Sequence, residues 1–247
     1  MVFSSITFLF YFLPIVLAIY YMVPNRWKNS VLLIASIAFY FYGEPKYVGV
    51  MLLSIVITYL FGLAMDKYER KRKLLCILSI CSNIAVLVYF KYFNFIIDNI
   101  NLWLNHKIDA IYVLLPIGIS FYTFQLMSYT IDVYRGQANV QKNLWKLAMY
   151  VALFPQLIAG PIVRYTTIEK QLEKRKYTVE SFAIGVRRFL IGLGKKVLIA
   201  NVLGELNTTF LSSGDTSVLW YWLYAISTML QIYFDFSGYS DMAIGLG

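Results

Sequence analysis

The sequence predicts an all-α, polytopic integral membrane protein with about eight membrane segments, and three observations support this fold class. Of the 247 residues, 60% are hydrophobic and only 14% are charged, whereas soluble domains have about 45–50% apolar and about 25% charged residues. The mean hydropathy is +0.63. Because the apolar residues extend along the whole chain, no long polar stretch remains to form the surface of a soluble domain. Residues 1–247 are therefore predicted to form a single membrane domain.

The individual segments are placed by apolar runs, since roughly 20 apolar residues cross the hydrocarbon core of a bilayer. The first run has neither the positive start nor the small-residue cleavage site of a signal peptide, so it is expected to remain as a span. The second run is short and is expected to be tilted or partly re-entrant. The predicted segments lie near residues 6–23, 30–43, 47–65, 74–97, 110–131, 144–161, 182–203 and 217–234, with another beginning at Phe236.

Loop charges predict the orientation of these segments. The formal net charge is +9, and the cations concentrate in alternate loops, as expected for cytoplasmic loops of a membrane protein and not for a nucleic-acid-binding surface. Loops 66–73 and 164–176 are basic and are predicted to be cytoplasmic, whereas loop 98–109 is predicted to lie outside. The N-terminus is therefore expected outside, in a multi-pass membrane protein.

Two segments depart from a simple span. Residues 144–161 have cations on both sides and contain Pro155, Gly160 and Pro161, which favours a re-entrant hairpin over a kinked span. Residues 182–197 would carry four cations into the membrane, at about 2.5–3.5 kcal/mol each. The cations share one half of the helix, so we expect an amphipathic interfacial helix that turns them toward headgroups or an anionic ligand. These cations are Arg187, Arg188, Lys195 and Lys196.

Polar residues form a stripe along the fifth segment. Tyr122, Gln125, Tyr129 and Asp132 follow helical spacing, so they lie on one face that must contact protein or a wet cavity. The stripe either makes interhelical hydrogen bonds or lines a substrate path. Asp132 could also pair with Arg135, three residues later.

Two further stretches combine polar and small residues. In LFPQLIAGPIVRY, Gln156 and Arg164 bracket small residues, and Arg164 could bind a phosphate or carboxylate. In QIYFDFSGYSDMAIGLG, which closes the chain at Gly247, the polar candidates are Asp235, Ser237 and Asp241. The two aspartates would be about 240° apart on an unbroken helix, so a break at Gly238 is expected to turn both toward one cavity.

Residue types typical of metal and acid–base centres are scarce. His106 is the sole histidine and is predicted to lie in a short outside loop without a partner. Cys76 and Cys81 are five residues apart in an apolar segment and are interpreted as packing residues. No metal site and no bound cofactor are predicted.

The motifs LPIGISFYTFQLMSYTIDVYRG, LFPQLIAGPIVRY and QIYFDFSGYSDMAIGLG, together with the opening MVFSSITFLFYFLP and FYGEPKY, resemble the N-terminal half of the membrane-bound O-acyltransferase (MBOAT) family, in the branch of bacterial alginate O-acetyltransferases. The resemblance covers essentially the whole chain. It implies an acetyl group moved from a cytoplasmic acyl thioester, acetyl-CoA or an acyl carrier, toward an exported polysaccharide, with an extracytoplasmic acetyltransferase as partner. Tyr122, Gln125, Tyr129, Gln156, Arg164, Asp235, Ser237 and Asp241 would then line the tunnel or its inner mouth.

The same resemblance implies that the catalytic histidines follow the FDFSGYSD motif and lie downstream of Gly247. No catalytic residue is therefore expected within residues 1–247, and the chain is expected to be truncated at its C-terminus. The alternatives are D-alanyl transfer to teichoic acid by the sister branch and, from a different class, a membrane transporter. The sequence contains no paired inverted repeat of the kind found in many transporters.

Overall fold

The architecture is seen in a computed structural model that describes residues 3–104, 113–157, 163–168, 178–214 and 217–247. All regular secondary structure in these ranges is helical, which confirms the predicted all-α class. The chain divides into two compact units: residues 19–158 with 162–175, and residues 1–18 with 159–161 and 176–247. The expectation of a single membrane domain stays a prediction.

The helices follow the apolar runs of the sequence. A π-helical turn, Thr7–Phe12, leads into the first α-helix, and a 3-10 turn, Glu69–Lys71, precedes the helix that begins at Arg72. A second π-helical stretch, Lys195–Ala200, connects the helices Val179–Gly194 and Asn201–Ser212 without interrupting the helical path. The α-helices are α1 (Leu13–Met22), α2 (Lys28–Gly43), α3 (Val48–Lys67), α4 (Arg72–Leu104), α5 (Ile119–Tyr134), α6 (Leu144–Ala152), α7 (Phe154–Leu157), α8 (Val179–Gly194), α9 (Asn201–Ser212) and α10 (Val218–Leu246).

Two helical stretches within the described residues are long and apolar enough to cross a membrane. They are Val48–Lys67 and Glu69–Trp103, and Thr7–Met22 forms a shorter apolar helix. Large apolar side chains along these helices are exposed, among them Leu60, Ile77 and Val88. The predicted total of about eight membrane segments stays a prediction.

In the first unit, α3, α4 and α5 pack together, and α6 packs against α2 and α3. Loops predicted to share the cytoplasmic side meet at one end of this unit. Lys142 Nζ lies 3.3 Å from Asp66 Oδ2, and the Arg72 guanidinium donates a hydrogen bond to the carbonyl of Val133. Which side of a membrane this end faces stays a prediction.

The segment predicted to be re-entrant is broken in the middle. Asn143 caps the start of α6 by accepting hydrogen bonds from the backbone N–H groups of Trp145 and Lys146. The helix ends at Ala152, because Leu153 has an extended ψ of 116°, and the short α7 follows. The predicted interruption is therefore present, while the predicted return through Gly160 and Pro161 lies outside the described residues.

The second unit contains an antiparallel helical hairpin. Helices α8 and α9 run one way, and α10 returns beside them. The helices approach closely at two glycine pairs: a Cβ added at Gly192 would lie 2.5 Å from the carbonyl oxygen of Gly238, and one added at Gly185 would lie 2.6 Å from that of Gly245. Small residues permit such close backbone contact between apolar helices.

Candidate functional site

The predicted polar stripe of α5 faces the interior of the first unit. Tyr122, Gln125, Tyr129 and Asp132 are all buried. Gly118, with a φ of 75°, precedes the helix and lets the chain turn sharply from the PIG sequence into it. The structure therefore places all four side chains of the stripe against protein, as the sequence predicts.

Gln125 connects the stripe to the broken segment. Its Nε2 atom donates one hydrogen bond to the Tyr150 carbonyl, at 2.9 Å, and another to Gln156 Oε1, at 3.1 Å. The structure thus brings together two site candidates, one on α5 and one on α7. Because Tyr150 is near the end of α6 and Gln156 belongs to α7, the side-chain amide of Gln125 binds residues on both sides of the break. It also gives a hydrogen bond to a backbone carbonyl next to the point where the helix is interrupted.

Ser36 of α2 binds the backbone on the other side of the same break. Its Oγ accepts a hydrogen bond of 3.1 Å from the backbone N–H of Phe154 and donates one of 2.7 Å to the Leu32 carbonyl. The break is therefore flanked by the middle of α2 and the middle of α5. A broken helix between two intact helices is a geometry in which irregular backbone can lie at membrane depth.

Tyr129 belongs to an aromatic cluster beside the break. Its hydroxyl accepts a hydrogen bond of 2.9 Å from the backbone N–H of Gln141. Its ring meets that of Tyr165 edge to face, with centroids 5.0 Å apart, and Tyr165 meets Tyr150 in the same way at 5.2 Å. Gln141 in turn donates to the Tyr165 hydroxyl at 2.7 Å.

Two polar atoms of the stripe have no hydrogen-bond partner within the described part of the chain. They are the Tyr122 hydroxyl and Oδ2 of Asp132. Asp132 does not pair with Arg135, because Asp132 is buried whereas Arg135 is exposed; that alternative is wrong. A buried polar atom without a partner costs about 1–3 kcal/mol, so both atoms are positions at which a bound water or a substrate group would be stabilised.

The remaining candidates of the first unit are less enclosed. Arg164 is exposed, and the carbonyl of its neighbour Val163 accepts a hydrogen bond of 2.8 Å from Tyr150. Of the two cysteines, Cys76 is buried, as expected for a packing residue, and Cys81 is exposed. His106 lies outside the described residues.

In the second unit, two candidates of the closing motif bind cations of the preceding helical segment. Lys195 Nζ donates to Asp241 Oδ2 at 2.6 Å and to Ser237 Oγ at 3.0 Å. Arg188 Nε donates to the other oxygen of Asp241 at 3.1 Å. The Asp241 carboxylate therefore lies between two cations, each of which binds a different one of its oxygens.

Asp235, the third candidate of this motif, has a separate partner. Lys196 Nζ lies 2.7 Å from Asp235 Oδ1. Consecutive lysines of the π-helical stretch thus reach two different aspartates of α10. We call the five charged residues of this region the hairpin charge cluster: Arg188, Lys195, Lys196, Asp235 and Asp241.

This arrangement corrects two expectations. Arg188, Lys195 and Lys196 face α10 and not lipid headgroups, because partnered carboxylates stabilise a cation in an apolar setting better than an unpaired position would. Helix α10 is also unbroken at Gly238. The two aspartates are reached by consecutive lysines instead, and Gly238 serves the close approach to Gly192.

Sequence reasoning missed the lysine partners and the role of Tyr239. The ring of Tyr239 stacks on Phe3, with centroids 4.5 Å apart and planes 9° from parallel. The spacing of the glycines could have predicted the packing of the two helices. Gly185 and Gly192 are seven residues apart, as are Gly238 and Gly245, and a seven-residue repeat is typical of helices that pack along one seam. Nothing in the local sequence indicates the contact of Phe3.

These features define a helical protein with buried polar groups around a broken helix, and the chain is homologous to alginate O-acetylases and related MBOAT-type acyltransferases. It is 42% identical to the probable alginate O-acetylase AlgI of Azotobacter vinelandii over its whole length, which is 51% of that protein. It is 31% identical to the peptidoglycan O-acetyltransferase of Helicobacter pylori, again over the whole chain and 54% of the relative.

A more distant similarity covers part of the chain. The teichoic acid D-alanyltransferase of Bacillus subtilis is 28% identical over 53% of the chain and 34% of its own length. No family model matches the sequence.

The chain spans about half the length of the curated relatives that it matches over its whole length. Its last residue, Gly247, is exposed and directly follows the end of α10 at Leu246. The catalytic histidines expected downstream of Gly247 would lie in a region that this chain does not contain. Their position, and the truncation that the resemblance implies, therefore stay predictions.

Proposed function

We propose that the chain is part of a membrane O-acetyltransferase that moves an acetyl group from a cytoplasmic acyl thioester, acetyl-CoA or an acyl carrier, to hydroxyl groups of an exported polysaccharide. One observation carries the proposal: the whole chain is homologous both to alginate O-acetylases and to a peptidoglycan O-acetyltransferase. Both relatives are named for the transfer of an acetyl group, and both names refer to a polysaccharide acceptor.

The residues of the chain form the walls of the transfer path in this proposal. Transfer of an acetyl group to a hydroxyl needs a base with a pKa near neutrality, a fixed geometry and exclusion of water. Gln125 and Gln156 would set the shape of the path at the broken helix, with the Tyr122 hydroxyl available to a substrate oxygen. Tyr129 would support this wall, and Arg164 would contact the donor at the inner mouth.

The closing motif has a supporting role. Asp235, Ser237 and Asp241 would fix α10, and the acid–base histidine would belong to a region downstream of Gly247, as the resemblance implies. Ion pairs that bind the motif to α8 support this assignment, because α10 is thereby held in one position.

The proposed setting is the bacterial cytoplasmic membrane, with about eight membrane segments and the N-terminus outside. An extracytoplasmic acetyltransferase would accept the acetyl group or act with the protein on the polymer. The apolar helices and the membrane acyltransferase homologues support the membrane setting.

The decisive experiment expresses the full-length gene product in a host lacking its own polysaccharide acetylation and containing the acceptor polymer. Esters released from the purified polymer by mild alkali are quantified as acetate and as D-alanine. We expect acetate in the presence of the protein and none in the vector control. A polymer without added acetate, at normal membrane abundance of the protein and of its partner, would contradict the proposal.

D-alanyl transfer to teichoic acid is the second candidate, favoured by the partial similarity to the D-alanyltransferase of Bacillus subtilis. The same assay separates the two reactions, since that activity would release D-alanine and no acetate. Transport of a solute without either ester would instead favour the transporter class.

A further inference from the structure

A small group of polar side chains lies between α9 and α10. Asn207 Nδ2 donates a hydrogen bond of 2.6 Å to Gln231 Oε1. Gly204 leaves room for this amide, because a Cβ added there would lie 2.9 Å from Gln231 Nε2. Ser227 and Thr228 precede Gln231 by four and three residues, so they lie one turn away on the same side of α10. We call Asn207, Ser227, Thr228 and Gln231 the amide–hydroxyl cluster.

Three oxygen atoms of this cluster are buried and have no hydrogen-bond partner within the part of the chain that the structure describes. They are Asn207 Oδ1, Ser227 Oγ and Thr228 Oγ1. Only 7% of Asn207 and 5% of Ser227 are exposed. Buried polar atoms in proteins are bound by other protein groups or by an ordered water. These three atoms therefore mark a position for a ligand that can form several hydrogen bonds at once.

The two hydroxyls of the cluster differ from other buried hydroxyls of the described helices. Those of Ser36, Ser54 and Thr130 each donate to the carbonyl oxygen four residues earlier in their own helix. This is a common bond for a hydroxyl inside a helix. Ser227 and Thr228 lie inside α10 and do not form it. Their hydroxyls therefore keep both a donor and an acceptor for another group.

We propose that the amide–hydroxyl cluster binds one buried water molecule. The water donates one hydrogen bond to Asn207 Oδ1 and exchanges hydrogen bonds with the hydroxyls of Ser227 and Thr228. It thus forms about three bonds, which is typical of a buried water. Together with the bond between Asn207 and Gln231, it connects α9 to α10. The site lies within the second unit and does not depend on the proposed transfer reaction.

The chemistry of the cluster fits water better than a metal ion. A hard cation such as Ca²⁺ takes about six to eight oxygen ligands, whereas the cluster offers three unpartnered oxygens among the described residues. The amide of Gln231 adds an N–H donor, which repels a cation. The next carboxylate along α10, Asp235, is paired with Lys196 at 2.7 Å.

The test is a cryo-electron microscopy map of the full-length protein in lipid nanodiscs, at a resolution that shows ordered water. We expect one solvent peak within about 2.5–3.2 Å of Asn207 Oδ1 and of the hydroxyl oxygens of Ser227 and Thr228. The double variant Ser227→Ala/Thr228→Val removes both hydroxyls with little change in volume, so the peak should disappear. Ser54→Ala is the matched control, because the Ser54 hydroxyl bonds within its own helix, and the peak should remain.

Three results of this experiment would overturn the proposal. The first is a wild-type map without a solvent peak at these atoms. The second is a wild-type map in which a side chain from elsewhere in the full-length protein binds them. The third is a peak that persists unchanged in the double variant. The wild-type map decides between water and the first two outcomes without the variant, so a double variant that fails to fold leaves the proposal testable.

A second measurement separates water from a monovalent cation. Thermal midpoints of the purified full-length protein are compared in sodium, potassium and choline chloride at equal concentration. We expect equal midpoints, because a site for water does not distinguish these salts. A higher midpoint in sodium or potassium that is lost in the double variant would show a cation site and contradict the proposal.

Discussion

At the scale of single residues, Asp241 has more ion-pair partners than any other carboxylate among the described residues. Lys195 and Arg188 each bind one of its oxygens, and only 18% of its side chain is exposed. Asp235 has one partner, Lys196, and 42% of its side chain is exposed. Removing one partner from a buried ion pair leaves an uncompensated charge, which costs more the less water can reach it. The two aspartates should therefore respond differently to neutralisation.

The first prediction compares Asp235→Asn with Asp241→Asn in the full-length protein. Asp235→Asn conserves volume and leaves only Lys196 unpaired, so we expect near-normal membrane abundance with at least tenfold lower polymer acetylation, a barrier change of about 1.4 kcal/mol. Asp241→Asn leaves two adjacent cations unpaired and should mainly lower abundance. Immunoblotting of membranes and ester quantification measure both. Wild-type acetylation by Asp235→Asn at equal abundance would show that Asp235 neither braces nor lines the path.

A second prediction concerns Ser36, the residue that satisfies the backbone at the broken segment. Ser36→Ala leaves the N–H of Phe154 buried without an acceptor, so we expect a loss of about 1–3 kcal/mol of stability. Ser54→Ala is the matched control, because Ser54 is also buried and its hydroxyl bonds to the Val50 carbonyl of its own helix. Unfolding of the purified variants in detergent measures the difference. Equal midpoints for both variants would contradict the role of Ser36.

At the scale of helices, the hairpin is specified by glycines on both sides of its seam. Their absent side chains let α8 and α10 approach until backbone atoms touch, and this closeness brings Lys195 and Lys196 within reach of the aspartates of α10. Packing at this distance is stabilised by van der Waals contact and does not depend on water.

The third prediction tests this seam. A Cβ at Gly192 would lie 2.5 Å from the Gly238 carbonyl oxygen and 2.7 Å from the Met242 nitrogen, so Gly192→Ala must separate the helices and should cost about 1–3 kcal/mol. Gly194→Ala on the same helix meets nothing within 4 Å and should be neutral or stabilising, because alanine favours helix by about 1 kcal/mol. Thermal midpoints in detergent measure both variants. A midpoint of Gly192→Ala equal to that of Gly194→Ala would show that the seam tolerates separation.

At the scale of the whole molecule, charge and hydropathy give a topology that can be tested independently of the reaction. The fourth prediction is that positions in loop 66–73 are cytoplasmic and positions in the stretch 98–109 are outside. Single cysteines introduced at positions 70 and 100, in a variant without Cys76 and Cys81, are treated with a membrane-impermeant thiol reagent in intact cells. We expect labelling at position 100 only. Labelling of intact cells at position 70 would reverse the orientation.

Local patterns in the sequence were enough to predict the all-α class, the position of the main helices and the burial of the α5 stripe. These follow from apolar run length and from the 3.6-residue period, which are properties of neighbouring residues. The interruption near Pro155 could also be predicted, because proline removes a backbone donor at a known place. Gln125 and Gln156 could both be selected as candidates, although their mutual contact could not be.

The pairing of residues across helices became known only from the folded chain. The sequence predicts that the cations of residues 182–197 face headgroups or an anionic ligand and that a break at Gly238 turns both aspartates toward one cavity. The folded hairpin instead pairs Arg188, Lys195 and Lys196 with α10 and leaves that helix unbroken. The period of a helix shows which residues lie on one face, but it cannot show what that face meets. In an apolar environment the nearest carboxylate determines where a cation is stable, and the carboxylate that binds Lys195 lies 46 residues away along the chain.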